Sequence, residues 1–292
     1  MGAQETSANT MDATAPISVR CSDWLGRIVC GDNVEVLSGF PDACIDLVVT
    51  SPPYDDLRTY GGHSWNFEAV AAQLVRVLKP GGVIVWVVAD ATVNGSETGT
   101  SMRQALHFQS IGLNLHDTMV WTKPNPRPTQ STRYETAWEF MFVLSSGKPK
   151  AINLLREPSV RAGGKAYSHR AVGTEALKTG GIYEHAETKI RRNVWDAAIG
   201  AEPIGNHPAP FPVRLAKDHV ASWSNPGDVV LDPFAGSGTT LKAAKELNRQ
   251  WCGIEINPEY VKIAEARLSQ DVLQLETCAM RPNITDQPTT AQ

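Results

Sequence analysis

The chain has 292 residues, of which 42% are hydrophobic and 20% charged, and this predicts one large folded domain with room for a smaller insertion. No apolar run reaches the roughly 18–20 residues that a membrane span requires, and the first residues lack the basic start and apolar stretch of a signal peptide. The five cysteines form no CxxC pair, so we expect neither a metal site nor a disulfide framework, as in a reducing cytoplasm. We expect disordered tails at 1–22 and 271–292.

The charge is distributed unevenly along the chain. A net charge of −4 argues by itself against a nucleic-acid binder. Between Lys148 and Arg192, however, ten Lys or Arg stand against four Glu, a local charge of +6. A basic segment on an acidic body predicts a surface that meets phosphates, whereas the alternative is a solvated loop enriched in basic residues by chance.

The first half of the chain is predicted to alternate between strands and helices. A strand at 27–30 leads through Gly31-Asp32 into a short helix that ends at Leu37. A buried strand at 45–50 follows, then a helix at 67–78 that Lys79-Pro80-Gly81-Gly82 stops, and a second buried strand at 83–88. After a helix at 102–111, a loop rich in Pro, Ser and Thr joins strands at 115–121 and 138–144 into an antiparallel hairpin.

The second half begins with 145–206, where glycines and basic residues accumulate and no regular element is predicted. Helices at 211–223, 239–247 and 259–268 then alternate with strands at 229–231 and 251–256. Strands that alternate with helices predict an α/β fold with a doubly wound, mostly parallel sheet. The antiparallel hairpin and the small basic insertion interrupt this core.

The segment Asp232–Thr240 reads DPFAGSGTT and joins a predicted strand to a predicted helix. Its two glycines let a ligand approach the backbone, and the helix N-terminus and two threonines suit an anionic group such as a carboxylate. Glu255, at the end of the next strand, stands where an acid commonly holds ribose hydroxyls. A tight structural corner is the alternative interpretation. The loop lacks the GxxxxGK[ST] and GxGxxG patterns, which disfavours ATP and NAD.

The segment Thr50–Tyr54 reads TSPPY and also ends a predicted strand. Two consecutive prolines fix the backbone and leave their carbonyls available. Ser51 offers a hydroxyl and Tyr54 a planar ring, so the segment suits a flat aromatic substrate that carries an amino group. Two acceptors near that nitrogen would stabilise the positive charge that develops during its attack. A proline-terminated strand end with a packed tyrosine is the alternative.

Together these motifs resemble the amino-methylating DNA methyltransferases of restriction–modification systems, which carry DPPY or SPPY. The resemblance covers 26–268 and rests on GD with TSPPY, on HPAPFP at His207–Pro212, and on DPFAGSGTT with the later IEINPEY. It implies a Rossmann-like fold, S-adenosyl-L-methionine as the cofactor, and catalysis by Ser51, Pro52, Pro53 and Tyr54. The residues that it assigns to cofactor binding are Asp32, Thr50, His207, Pro208, Asp232, Phe234, Ala235, Gly236, Ser237, Gly238, Thr239, Thr240, Glu255 and Ile256. Asp32 would contact the adenine amino group.

The catalytic motif precedes the cofactor motif, which is the permuted β arrangement of this family. The resemblance therefore implies a catalytic half at 23–144, a target-recognition insertion at 145–206 and a cofactor-binding half at 207–270. Because some sixty residues are few for an autonomous recognition domain, the loops at 55–63 and 123–133 or a second subunit are expected to contribute. The side chains predicted to bind DNA are Arg127, Arg133, Lys165, Arg170, Lys189, Arg191 and Arg192.

The activity that the resemblance implies is methyl transfer to the exocyclic amino nitrogen of a base flipped out of double-stranded DNA. Serine in SPPY favours cytosine N4, with adenine N6 as the alternative. The permuted order and the basic segment disfavour RNA and protein amides as substrates. The alternative outside the enzymes is a catalytically silent, cofactor-binding subunit that recognises DNA. The expected setting is cytoplasmic, at the bacterial nucleoid or phage-encoded, as a monomer or homodimer, with a cognate restriction endonuclease as a further partner and no membrane.

Overall fold

The computed structural model describes residues 20–53, 65–126, 133–170, 178–198 and 212–269, and their side chains apart from those of 167–170 and 178–183. Most of the two predicted tails lies outside these ranges. The described chain nevertheless begins before the predicted boundary at residue 22, because a short 3-10 helix spans Cys21–Trp24. Within the described ranges, no helix is long and apolar enough to cross a membrane.

The described strands and helices follow one another in the predicted alternation over most of the chain. The strands are β1 (Arg27–Cys30), β2 (Ile45–Thr50), β3 (Leu78–Val88), β4 (Thr92–Val93), β5 (Ser96–Glu97), β6 (Asn114–Thr122), β7 (Trp138–Ser145), β8 (Arg156–Pro158), β9 (Lys165–Arg170), β10 (Lys178–Glu184), β11 (Thr188–Ile190), β12 (Val194–Asp196), β13 (Val229–Asp232) and β14 (Gln250–Glu255). The helices are α1 (Asn33–Ser38), α2 (Phe67–Val77), α3 (Thr100–Ser110), α4 (Val213–Trp223), α5 (Thr239–Glu246) and α6 (Pro258–Ser269).

Eight of these strands form the central sheet, in the order β1-β14-β13-β2-β3-β7-β6-β12. Neighbouring strands pair in parallel except at β7, which is antiparallel to both β3 and β6. The predicted hairpin of β6 and β7 is thus present. The predicted α/β fold with a mostly parallel sheet is confirmed.

Helices cover both faces of the sheet because its central strands are apolar on both sides. All six residues of β2 are buried, and alternate side chains point to opposite faces. Val48 packs in the cluster that includes α1, α2 and α3, whereas Leu47 and Val49 pack in the cluster that includes α4 and α5. This two-sided burial makes the doubly wound arrangement the stable one.

The Lys79–Gly82 segment differs from the prediction. Helix α2 ends at Val77, as expected, but strand β3 begins at once and runs through the segment. The Gly81 amide donates to the Ser146 carbonyl at 2.7 Å, and the Lys150 amide donates to the Gly81 carbonyl at 2.9 Å. Pairing with a distant part of the chain therefore turns an expected stop into an extended strand.

The interval 145–206 was predicted to lack regular elements, and this prediction is wrong for its described part. It contains two short antiparallel pairs, β8 with β11 and β9 with β10. Strand β12 joins the edge of the central sheet, parallel to β6. Strands β8 and β11 have only three residues each, mostly exposed, and lack the alternating apolar pattern that makes a strand recognisable in a sequence.

Candidate active site

The carboxyl ends of the parallel strands lie along one edge of the sheet, and the predicted site residues follow them. In the strand order, Asp32 comes just after β1, Glu255 ends β14, Asp232 ends β13, and Ser51 follows β2. Neighbouring strands are roughly 4.8 Å apart, so four strand ends bring segments from distant parts of the sequence into one row. The strand order thus unites the two halves of the predicted site.

The centre of this row lies between β13 and β2, where the direction of winding reverses. Helix α2 leads from β2 to β3 on one side, and α5 leads from β13 to β14 on the other. Ligands of open α/β sheets bind at such a point. Two buried hydrogen bonds hold the strand ends together: Thr50 Oγ1 donates to Asp232 Oδ1 at 2.7 Å, and Thr240 Oγ1 donates to the Val49 carbonyl at 3.1 Å.

The glycine loop that follows β13 adopts a conformation that requires its glycines. Gly236 and Gly238 have φ values of 50° and 78°, in the left-handed region that other residues rarely adopt. A Cβ at Gly238 would lie 3.0 Å from the Ala264 Cβ, so this residue also allows close packing against α6. The loop is held open at its centre, since the Gly236 amide donates to Glu255 Oε2 at 2.8 Å.

Glu255 and Arg267 fix the loop from its two sides. The second carboxylate oxygen of Glu255 accepts from the Asn257 amide at 2.8 Å. A carboxylate is an acceptor of hydrogen bonds, which is the partner that ribose hydroxyls require. Arg267 Nη1 donates to the Ser237 carbonyl at 2.5 Å and lies 3.3 Å from Thr239 Oγ1. Sequence reasoning missed Arg267, which has no motif around it and lies 30 residues after Ser237.

Asp232 is buried at the bottom of the loop, 5% exposed. Burial raises the pKa of Asp232 to about 6, while hydrogen bonds from the Thr50 hydroxyl and the Phe234 amide act in the lowering direction. The carboxyl is therefore ionised at neutral pH but close to its midpoint. A buried carboxylate held by a neutral hydroxyl and a neutral amide suits the ammonium group of a methionine moiety.

Asp32 lies at the far end of the row and caps α1. Its Oδ1 accepts from the Val34 and Glu35 amides at 2.8 and 3.1 Å. This is the ordinary role of an aspartate at a helix N-cap. Ile256, also assigned to the cofactor, directly follows Glu255 at the same edge.

The predicted catalytic segment begins where β2 ends. Ser51 and Pro53 are half-buried and Pro52 is buried, and all three continue β2 beyond its pairing with β3. Tyr54 lies outside the described residues, as do His207, Pro208 and Arg127. The structure therefore brings Ser51, Pro52 and Pro53 next to the glycine loop and leaves the proposed stacking residue undescribed.

An aromatic cluster borders the site, and sequence reasoning missed it. The Trp65 ring lies edge-on to the Phe234 ring of the glycine loop, with centroids 4.9 Å apart, and 6.3 Å from the Trp86 ring. The Trp86 Nε1 atom in turn donates to Gln104 Oε1 at 2.9 Å within the core. Trp65 thus anchors the start of α2 to the cofactor side of the site.

The basic residues assigned to DNA fall into two groups. Some are engaged within the protein: Arg191 Nη1 donates to Asp218 Oδ2 at 2.6 Å and its guanidinium lies 4.5 Å from the Trp195 ring, while Lys189 pairs with Glu157 at 3.0 Å. Others are exposed, namely Lys165, Arg192 and Arg133, the last of which contacts a neighbouring hairpin. The backbone of Arg170 lies in β9, and its side chain is outside the described part.

Comparison with known proteins identifies the family. Residues 45–266 match the family model of the N6/N4 methyltransferases, described as DNA methylase. The orphan methyltransferase M.BamHII of Bacillus amyloliquefaciens is 47% identical over 242 residues, which are 80% of this chain and 91% of the relative. The Type II methyltransferase M.SmaI of Serratia marcescens is 31% identical over 285 residues, 83% of this chain and 90% of the relative.

Solved structures agree on the fold. The cytosine-N4-specific PvuII DNA methyltransferase aligns with a TM-score of 0.62 at 23% identity, over 84% of this chain and 86% of its own. The protein TTHA0409 of Thermus thermophilus, solved with S-adenosyl-L-methionine, aligns with a TM-score of 0.55 at 27% identity, over 83% of this chain and 92% of its own. With the glycine loop and the Ser51–Pro53 segment on one sheet edge, these matches establish that the chain belongs to the N6/N4 DNA methylase family and is an S-adenosylmethionine-dependent DNA methyltransferase.

Proposed function

We propose that this enzyme methylates the exocyclic amino nitrogen of a base extruded from duplex DNA, and that the base is cytosine, methylated at N4. The observation that carries the proposal is the position of Ser51 and Pro52 at the end of β2, directly beside the end of β13 that bears the glycine loop. The Thr50–Asp232 hydrogen bond of 2.7 Å couples these two strand ends.

The chemistry requires acceptors for the amino group. The lone pair of an exocyclic amine is conjugated with its ring, so the nitrogen is a weak nucleophile. We propose that the Ser51 hydroxyl and the Pro52 carbonyl accept its two N–H groups and stabilise the positive charge that develops on the nitrogen. The ring would stack on Tyr54. When bound, the cofactor would supply a methyl group from a positively charged sulfur, which would leave as a neutral thioether, and one proton of the methylated amino group would be released to solvent.

The cofactor's place is proposed from the polar groups of the row. Asp232 would face the ammonium group, and the amides at the start of α5 with the Thr239 hydroxyl would face the carboxylate. Glu255 would accept from the ribose hydroxyls and Asp32 from the adenine amino group. We propose that the remaining residues predicted to bind the cofactor line the same pocket, namely Thr50, Phe234, Ala235, Ser237, Thr240 and Ile256.

The domain division and DNA surface follow from the same proposal. Residues 23–144 would form the catalytic half, 145–206 the target-recognition insertion and 207–270 the cofactor-binding half. Among the described side chains predicted to bind DNA, Lys165 and Arg192 are the best candidates for phosphate contacts because they are exposed and no ion pair between either of them and an acidic side chain is seen within the described ranges. The relatives include both an orphan and Type II enzymes, so a cognate endonuclease is an optional partner.

The experiment is expression in a host that lacks DNA methylation, followed by genomic sequencing that distinguishes N4-methylcytosine from N6-methyladenine. We expect N4-methylcytosine at one short sequence, and a lower methylated fraction of that sequence in cells that express Ser51→Ala at the same level. N6-methyladenine instead would overturn the choice of base and leave amino methylation standing. Unmodified DNA with well-expressed, folded parent protein would overturn the proposal.

A further inference from the structure

A small hairpin projects from the sheet edge beside the catalytic strand end. Strand β3 pairs in parallel with β2, with Thr50 opposite Trp86, and ends at Val88. The chain then forms β4 and β5, which pair antiparallel around Asn94 and Gly95. These two residues have φ values of 48° and 79°, as a tight hairpin turn requires. The hairpin therefore rises from the carboxyl edge one strand away from Ser51.

The base of this hairpin is fixed to the fold. The Thr98 amide donates to the Ala91 carbonyl at 2.9 Å and closes the hairpin. Asp90 accepts from the Ser101 amide at 2.8 Å and from the Ser101 hydroxyl at 2.7 Å, which ties the hairpin to the first turn of α3. Hydrogen bonds on both sides of its base therefore fix the position of the hairpin.

A second segment is attached to the hairpin's tip. The Arg133 guanidinium donates to the Gly95 carbonyl and lies 3.8 Å from Glu97 Oε1. The segment then runs into β7, whose first residues lie at the same sheet edge because β7 is antiparallel to β3. We call the hairpin and residues 133–138 the lip. Arg133 joins the two parts of the lip.

The lip presents large side chains to solvent. Tyr134, directly after Arg133, is fully exposed, and Val93, directly before the turn, is 53% exposed. Isolated exposed apolar side chains are common and need no explanation. Here Arg133 links the segment that carries Tyr134 to the hairpin that carries Val93, at the edge where the DNA must reach Ser51.

We propose that Tyr134 and Val93 enter the base stack of the DNA beside the target base and stabilise its extruded state. This inference rests on the proposed function. A base that leaves the duplex breaks its stacking and pairing, and the enzyme must compensate for both. Apolar wedges and aromatic rings do so by occupying the opened step and by stacking on the bases that remain. Arg133, which joins the two parts of the lip, is accordingly a positioning residue.

The test is single-turnover methyl transfer to two duplexes that contain the site mapped by genomic sequencing. One duplex is fully paired, and the other has a mismatch opposite the target base, which lowers the cost of extrusion. On the paired duplex, Tyr134→Ala should slow transfer by about 5- to 150-fold, the loss of one base–aromatic stack. On the mismatched duplex, the rate should return close to the parent's.

Three variants make the result specific. Tyr134→Phe keeps the ring and should transfer at nearly the parental rate, and Val93→Ala should show a smaller deficit with the same rescue by the mismatch. Leu106→Ala removes another exposed side chain, 63% exposed on α3, and should leave both rates unchanged. Parental rates for Tyr134→Ala on the paired duplex would overturn the inference, and so would an equal deficit on both duplexes. A parent enzyme inactive on both duplexes would instead overturn the proposed function beneath it.

Discussion

The glycine loop at Asp232–Thr240 and the basic interval at 145–198 use their polar groups in opposite ways. In the loop, internal hydrogen bonds fix the backbone: the Gly236 amide donates to Glu255, and Arg267 donates to the Ser237 carbonyl. In the basic interval, some cations that the sequence predicts to contact DNA are paired within the protein, since Arg191 donates to Asp218. The sequence motif thus predicts a defined backbone conformation, whereas a count of charges does not predict which cations pair within the protein.

The largest effect is expected where the loop's backbone is essential. Gly236→Val should lower cofactor affinity by about a hundredfold or more, or about 2.7 kcal/mol, because a β-branched residue is strained at a φ of 50° and would displace the amide that bonds Glu255. Calorimetric titration with S-adenosylmethionine measures this. Gly227→Val is the control, since Gly227 has a φ of 87° in a turn with open space around it. Undiminished affinity in folded Gly236→Val protein would remove the loop from the cofactor site.

The next effect concerns pH and Asp232. With a pKa of about 6, the carboxyl is mostly protonated at pH 5 and can no longer attract an ammonium group. Cofactor affinity should therefore fall about tenfold from pH 7.5 to pH 5, because at pH 5 only about one Asp232 carboxyl in eleven is ionised. Asp232→Asn should bind weakly at both pH values. A parental affinity that is independent of pH would contradict the role of this carboxylate.

The same pKa has the opposite effect on the stability of the cofactor-free protein. Because the folded-state pKa is raised from 3.8 to about 6, the contribution of Asp232 to stability is complete below pH 3.8 and is lost as the pH rises through 6. The full loss corresponds to about 3 kcal/mol. Denaturant unfolding should therefore show Asp232→Asn gaining stability relative to the parent between pH 4 and pH 7.5. A constant difference between the two proteins would contradict the raised pKa.

Two adjacent arginines sharpen the comparison within the basic interval. Arg191→Ala should destabilise the protein by about 1–3 kcal/mol, because its partner Asp218 is only 21% exposed and the cation over Trp195 is lost. Arg192→Ala, one residue away and exposed, should change the free energy of unfolding by less than about 0.5 kcal/mol. Urea unfolding monitored by Trp fluorescence compares the two, and equal effects would show that the arginines are not distinguished by the fold.

DNA binding should distinguish the exposed cations of the basic interval from the paired ones. Arg192→Ala and Lys165→Ala should each reduce the slope of log affinity against log salt by about 1, the value for one lost phosphate contact. Lys189→Ala should change it little, since Lys189 pairs with Glu157 at 3.0 Å. Fluorescence anisotropy at several salt concentrations measures these slopes. If Lys189→Ala changes the slope as much as Arg192→Ala does, the ion pair does not withhold this charge from DNA.

The sheet and the turn of the glycine loop could be predicted because their local patterns have few solutions. The six buried residues of β2 and the GSG turn before α5 specify strand and turn by themselves. The Lys79–Gly82 segment could not be predicted, since its strand depends on pairing with residues around Ser146. Trp65 and Arg267 were missed for the same reason: their contacts join them to residues far away in the sequence.

The most direct test of the account is single-turnover transfer of tritium from labelled cofactor to DNA by the parent and by Ser51→Ala. Ser51→Ala removes one acceptor and leaves the backbone and the Pro52 carbonyl in place. We predict a rate roughly tenfold to a thousandfold below the parent's, with cofactor and DNA affinities unchanged, as for the loss of one transition-state hydrogen bond. Ser110→Ala, exposed at the end of α3, should match the parent. Parental rates for Ser51→Ala would contradict methyl transfer at this strand end.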